Sequence, residues 1–195
     1  MEEKVLCVDV DEVLADYQRF FLRKVTSETG KAFLTTADAK RELGVLKYET
    51  IKEDYRTNGS KRELRLLDDN IPKLLMRLKR LGFHIAVLSS RPANIYVNIY
   101  FDTFIWLGEN NIYFDSLNFS REKHLFISSH FCDGEICFVL EDDWAYAEKI
   151  KGMDLPNVVI YYLGNKVEEV EGIVIVSNAV EALEDILKIE EKEEL

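Results

Sequence analysis

"VDVDEVLADY", Val8 to Tyr17, is the stretch on which the fold turns. An apolar run from Val5 to Val8 leads straight into Asp9, Val10, Asp11 and Glu12. Carboxylates at that density repel one another and lose hydration where a buried strand ends. A chain that places them there has something to neutralise them, which directs attention to the other strand ends.

Working outward, four more apolar runs follow: "FHIAVLSS" (83–90), "EICFVLEDD" (135–143), "NVVIYYLG" (157–164) and "GIVIVSN" (172–178). Runs without polar alternation are buried on both faces, as in a parallel sheet covered by helices. Helical patterns lie between them. "NIPKLLMRLKRLG" spaces Leu74, Leu75, Leu78 and Leu81 along one face and stops at Gly82. "NIYVNIYFDTFIWLGE" follows Pro92, and its aromatics Tyr96, Tyr100, Phe101, Phe104 and Trp106 are expected to pack that helix on the sheet. "WAYAEKIKG" and "NAVEALEDILKI" supply two more helices. Alternating strand and helix predicts an α/β fold with right-handed crossovers.

The stretch between the first two strands is too long for a simple crossover. It contains only helical patterns, "YQRFFLRKVTSETG", "TTADAKRELG" (with Thr36 or Asp38 as its cap) and "YETIKEDYRTNG". Residues 17–68 are therefore expected to form a small helical cap inserted after the first strand, with 1–16 and 69–195 as the α/β core. Phe20, Phe21, Tyr48 and Tyr55 are expected as its core.

The chain has 195 residues, 47% hydrophobic, with a formal net charge of −11. That is ample for a core, and the acidity argues against nucleic acid or an anionic membrane as partner. No stretch approaches the ~20 apolar residues of a membrane span, and "MEEKVLCVDV" is too acidic for a secretory leader. The three cysteines, Cys7, Cys132 and Cys137, form no metal-binding cluster with histidine. A reduced, cytoplasmic setting is expected.

Ligands of open parallel sheets bind at the strands' carboxyl ends. There the sequence puts Asp9 and Asp11; Ser89, Ser90 and Arg91; and Glu141, Asp142 and Asp143, with Lys123 at the start of a helix between the last two sets. Clustered carboxylates call for a hard cation such as Mg²⁺. One carboxylate can attack phosphorus, a second can move protons, and a hydroxyl and an ammonium can hold phosphoryl oxygens.

"DVDEV" (9–13), "AVLSSRP" (86–92), Lys123 and "FVLEDD" (138–143) appear in the order of four motifs of the haloacid dehalogenase superfamily, which the chain resembles across roughly residues 5 to 145. The resemblance implies a Rossmann-type core, Asp9 as nucleophile and Asp11 as general acid and base. It implies Ser89 and Lys123 on the phosphate; Ser90 and Arg91, at the same strand end, are expected to bind it as well. It implies Mg²⁺ on Asp9, the Asp11 carbonyl and Asp142, with Asp143 as the alternative ligand. "VDVDEVLADY" and "FSREKHLF" are most similar to the 5′(3′)-deoxyribonucleotidases and their bacterial relatives, although Glu12 stands where that family has Gly. The expected activity is hydrolysis of phosphomonoesters through an aspartyl-phosphate, on nucleoside 5′-monophosphates. A sugar phosphate or similar metabolite is the alternative substrate, and a non-hydrolytic binding protein the alternative function. A small cap leaves space over the site, which a homodimer is one way of completing.

Overall fold

The computed structural model describes residues 4–131, 136–165 and 170–193. Six parallel strands form one sheet in the order β3-β2-β1-β4-β5-β6: β1 (Lys4–Val8), β2 (His84–Ser89), β3 (Ser116–Phe119), β4 (Ile136–Glu141), β5 (Val158–Leu163) and β6 (Ile173–Val176). Five of these are the apolar runs. The sixth, β3, reads "SLNF"; it is a short edge strand, half-buried throughout, with no apolar run to announce it.

Successive residues of each strand feed opposite layers. Leu6, Val8, Ile85, Val87, Phe138 and Leu140 face one cluster, closed by Leu75 and Leu78 of α4 (Ile71–Arg80) and by Leu183 and Ile186 of α8 (Ala179–Glu193). Val5, Cys7, Ala86, Leu88, Cys137 and Val139 face the other, closed by Ile127 of α6 (Lys123–His130) and by Ala147 and Ile150 of α7 (Trp144–Lys151). This is the α/β sandwich that the unbroken apolar runs predict. The α4 pattern ends as expected: Gly82 adopts φ 91°, and Phe83 N donates to Leu78 O across it at 3.2 Å. The sulfurs of Cys7 and Cys137 lie 3.9 Å apart, too far for a covalent bond. Cys132 lies outside the described residues.

α5 (Val97–Glu109) corrects one expectation. It turns Ile99, Thr103, Trp106 and Leu107 inward and leaves Tyr100, Phe101 and Phe104 exposed, because only a stripe of a helix can touch a sheet.

After β1 the chain crosses a short antiparallel pairing. Asp16 N donates to Arg65 O at 2.9 Å and Leu67 N to Leu14 O at 2.9 Å. Between those two segments lie α1 (Tyr17–Thr29), α2 (Thr36–Leu43), α3 (Val45–Thr57) and a 3₁₀ turn, Ser60–Glu63. They share an apolar cluster that includes Phe21, Val25, Tyr48, Ile51 and Tyr55. The α2 cap is Thr35, whose hydroxyl accepts from Asp38 N at 3.1 Å; neither Thr36 nor Asp38 takes that place. Among the described residues no helix is long and apolar enough to cross a membrane.

Candidate active site

β1 lies between β2 and β4, where the strand order reverses direction, and a crevice opens beyond the strand ends at such a point. Asp9 is pinned there by its N–H on Leu140 O at 3.2 Å. The chain then turns back sharply, with Leu14 N and Ala15 N both donating to Val10 O at 3.0 and 2.8 Å. The turn requires φ 64° at Glu12, a left-handed conformation that suits glycine. The Glu12 carboxylate accepts from Gln18 N at 2.6 Å, in the first turn of α1, which has no side-chain bond from its own N-cap, Asp16.

One end of the crevice is acidic. Lys123, 2% exposed, places Nζ 3.0 Å from Asp9 Oδ2 and 2.7 Å from Glu141 Oε2. Asp9, Glu141 and Asp142 each present an oxygen within 4.8 Å of the others. Among the described residues the buried Asp9 Oδ1 has no hydrogen-bond partner. Burial pushes Asp9 up, and neighbouring Asp11 adds to this against the pull of Lys123. Burial and then Asp9 push Glu141 up to about 7. Burial, Asp9 and Glu141 push Asp142 up to about 8. Three carboxylates share one ammonium, so they ionise together only with difficulty and hold protons to unusually high pH. An oxygen-only donor set with a partnerless buried oxygen fits a hard divalent cation.

Asp11 points elsewhere. Arg91 grips it with Nε at 3.0 Å from Oδ2 and Nη2 at 2.5 Å from Oδ1, while Arg91 Nη1 donates to Thr103 Oγ1 at 2.8 Å. Lys61 Nζ lies 3.4 Å from Asp11 Oδ2. Burial raises the Asp11 pKa, but Arg91 and then Lys61 outweigh it and hold the carboxyl well below the usual range. Burial and Arg91 push Lys61 down to about 7 against the pull of Asp11.

These groups wall a cavity of about 410 Å³, lined at the strand ends by Asp9, Ser90, Arg91 and Asp142 and from the helical segment between β1 and β2 by Tyr17, Lys52, Tyr55 and Lys61. The structure thus brings Asp9, Lys123 and Asp142 together and sets Asp11 against Arg91. Ser90 borders the cavity; Ser89 is buried behind it, its hydroxyl accepting from Arg91 N at 3.3 Å. Asp143 caps α7 by accepting from Ala145 N at 2.9 Å. Two residues escape sequence reasoning. Glu141 stands among the strand-end acids, but its sequence gives no sign that it is 1% exposed and shares Lys123 with Asp9. Lys61 lies in "GSKRE", which looks like a solvated turn, and no local signal distinguishes it.

No protein-family model matches the sequence. No curated protein matches it either. Solved structures do match the fold. A Thermotoga maritima protein described as a β-phosphoglucomutase superposes with a TM-score of 0.63 at 15% identity, over 95% of this chain and 99% of that one. A haloacid dehalogenase-like hydrolase from Streptococcus pneumoniae gives 0.61 at 12%, over 94% and 98%. Phosphoserine phosphatase from T. onnurineus gives 0.54 at 16%, over 95% and 94%. At such identities the likeness is one of fold, and the fold of this chain is the α/β architecture of the haloacid dehalogenase-like hydrolases.

Proposed function

We propose that the chain is a Mg²⁺-dependent phosphomonoester hydrolase acting on a small phosphorylated metabolite. The observation that carries the proposal is Asp9 Oδ1. It is a buried carboxylate oxygen with no partner among the described residues, beside a buried lysine and two further carboxylates. Such an oxygen is free to attack phosphorus. Asp9, Glu141 and Asp142 would hold the cation, which neutralises charge on the phosphoryl group and its acidic surroundings. In the first half-reaction Asp9 attacks in line and the leaving alkoxide takes a proton from Asp11. In the second, Asp11 accepts a proton from the water that hydrolyses the aspartyl-phosphate. Lys123 and Ser90 face the phosphoryl oxygens, with Ser89 supporting the turn behind them. Asp11 is held here as a carboxylate, so its role as acid requires Arg91 and Lys61 to turn toward the substrate.

The resemblance also implies a nucleoside 5′-monophosphate, but the cap tyrosines do not support a base shelf. Tyr17 stacks on Phe21 at 5.7 Å and carries Lys61 over its ring at 5.1 Å, and Tyr55 is 1% exposed. The test is phosphate release with Mg²⁺ from nucleoside monophosphates, sugar phosphates and p-nitrophenyl phosphate, comparing wild type with Asp9→Asn. Turnover that falls by about 10³-fold or more in the variant supports the proposal. Absence of turnover on every ester by folded, Mg²⁺-loaded protein overturns it in favour of a binding role. Turnover restricted to nucleotides restores the nucleotide substrate.

A further inference from the structure

The cavity is acidic at one end and cationic at the other, and the cationic end has more charge than its neighbours neutralise. Lys61 is 4% exposed, enclosed by the rings of Tyr17 and Tyr55 at 5.1 and 5.2 Å. Among the described residues its carboxylate partner is Asp11, which Arg91, also 4% exposed, already grips through two nitrogens. Two buried cations therefore share one carboxylate. Lys52 of α3 lines the same cavity, half-buried, with its ammonium 5.6 Å from the Tyr48 ring. Among the described residues that ammonium forms no ion pair. Arg56, also on the cavity, differs: Glu49 and Glu53 lie 3.9 and 3.8 Å from it. Buried cations in excess of anions are unfavourable, and the cost is relieved by losing a proton, toward which Lys61 is already pushed, or by an anion that joins them.

We propose that Lys52 and Lys61 of the cap, with Arg91 of the core, form a second anion subsite, and that the substrate carries a second anionic group on its leaving part. The inference rests on the phosphomonoesterase reading and narrows its substrate class. With the transferred phosphoryl group against Asp9 and Lys123, the leaving group extends toward the cap. A carboxylate or second phosphate there meets the three cations and displaces Asp11 from them. A neutral leaving group leaves the excess cations unmatched.

The experiment measures binding to Mg²⁺-loaded Asp9→Asn protein by calorimetry, independent of turnover. Two matched pairs are compared: 2-phosphoglycolate against ethyl phosphate, and a hexose 1,6-bisphosphate against the hexose 6-phosphate. The expected result is at least tenfold tighter binding of the doubly anionic member in one pair. Preference in the first pair identifies a carboxylate, and preference in the second a phosphate. Adding Lys52→Gln, at a half-buried position, is expected to reduce that preference about tenfold, with circular dichroism to establish that it folds. Lys61→Gln is expected to do the same, and circular dichroism establishes that it folds. Equal affinity within both pairs, or a preference that survives both lysine substitutions, overturns the subsite. Absence of turnover by wild type on every ester, with the binding preference intact, instead overturns the hydrolase reading and leaves the subsite standing.

Discussion

At Glu12 two opposing contributions meet on one residue. A non-glycine residue at φ 64° costs about 1–2 kcal/mol, while a carboxylate that accepts from a first-turn N–H at 2.6 Å returns about 1 kcal/mol. Glu12→Ala keeps the strain and loses the bond, so denaturant unfolding should show a loss of about 1 kcal/mol. Glu12→Gly loses the bond but also the strain, and should exceed the alanine variant by about 1 kcal/mol. Equal stability of the two would mean that the backbone at this position is unstrained. Lys123 offers a larger effect. It neutralises Asp9 and Glu141 at once, and removing one member of a buried ion pair typically costs about 3–5 kcal/mol. Lys123→Met should therefore unfold at markedly lower urea than wild type at neutral pH, with Mg²⁺ recovering part of the loss. A variant as stable as wild type would show that the two carboxylates are neutral without the lysine. Residues also mark where sequence reading fails. Asp9, Lys123 and Asp142 were legible because each follows a strand or opens a helix in a recognisable order. Lys61 was not, because its partner Asp11 lies 50 positions away and only the cap's return path brings them together.

Among the elements, strands buried on both faces were the legible ones, because a short unbroken apolar run bounded by polar residues has few other uses. β3 was invisible for the converse reason, since an edge strand with every residue half-buried has no pattern to show. Its attachment depends on polar contacts near its start. Asp115 N donates to Ile85 O at 2.8 Å, and the Asp115 carboxylate accepts from Ile85 N at 2.8 Å, Lys79 Nζ at 2.7 Å and Tyr113 Oη at 3.0 Å. Against the effect of burial, these donors lower its pKa below the ordinary value of 3.8. A lowered folded-state pKa stabilises the protein above the unfolded value, and that contribution disappears as pH falls through the folded one. Asp115→Asn should accordingly be less stable than wild type by about 1 kcal/mol at pH 7. The gap should close as the pH falls below 3.8. A gap that persists in acid would assign the effect to packing at the β2–β3 edge and not to charge. The aromatics of α5 show the limit of pattern at this scale: composition suggested a buried helix, but register exposes Tyr100, Phe101 and Phe104.

Over the whole molecule, a formal charge of −11 repels itself, and three of the carboxylates converge on one crevice. Two consequences of added salt can be separated. Any salt screens long-range repulsion, since the Debye length is about 10 Å at 0.1 M, so NaCl should raise Tm modestly. A cation seated among Asp9, Glu141 and Asp142 acts differently, because it binds the folded chain and not the unfolded one. At ~10 times its Kd such binding contributes about 1.4 kcal/mol, or roughly 3–6 °C for a chain of this size. MgCl₂ at an ionic strength matched with NaCl should therefore raise Tm by that further margin in wild type. Asp142→Asn should respond to the two salts alike, because it removes one donor of the trio while leaving the global charge nearly unchanged. Coincident curves in wild type would mean that the acidic end of the crevice does not hold Mg²⁺, and that its orphaned oxygen serves some other ligand. A margin that survives in Asp142→Asn would place the cation on Asp9 and Glu141, and Asp142 would then be a solvated acid at the cavity's edge.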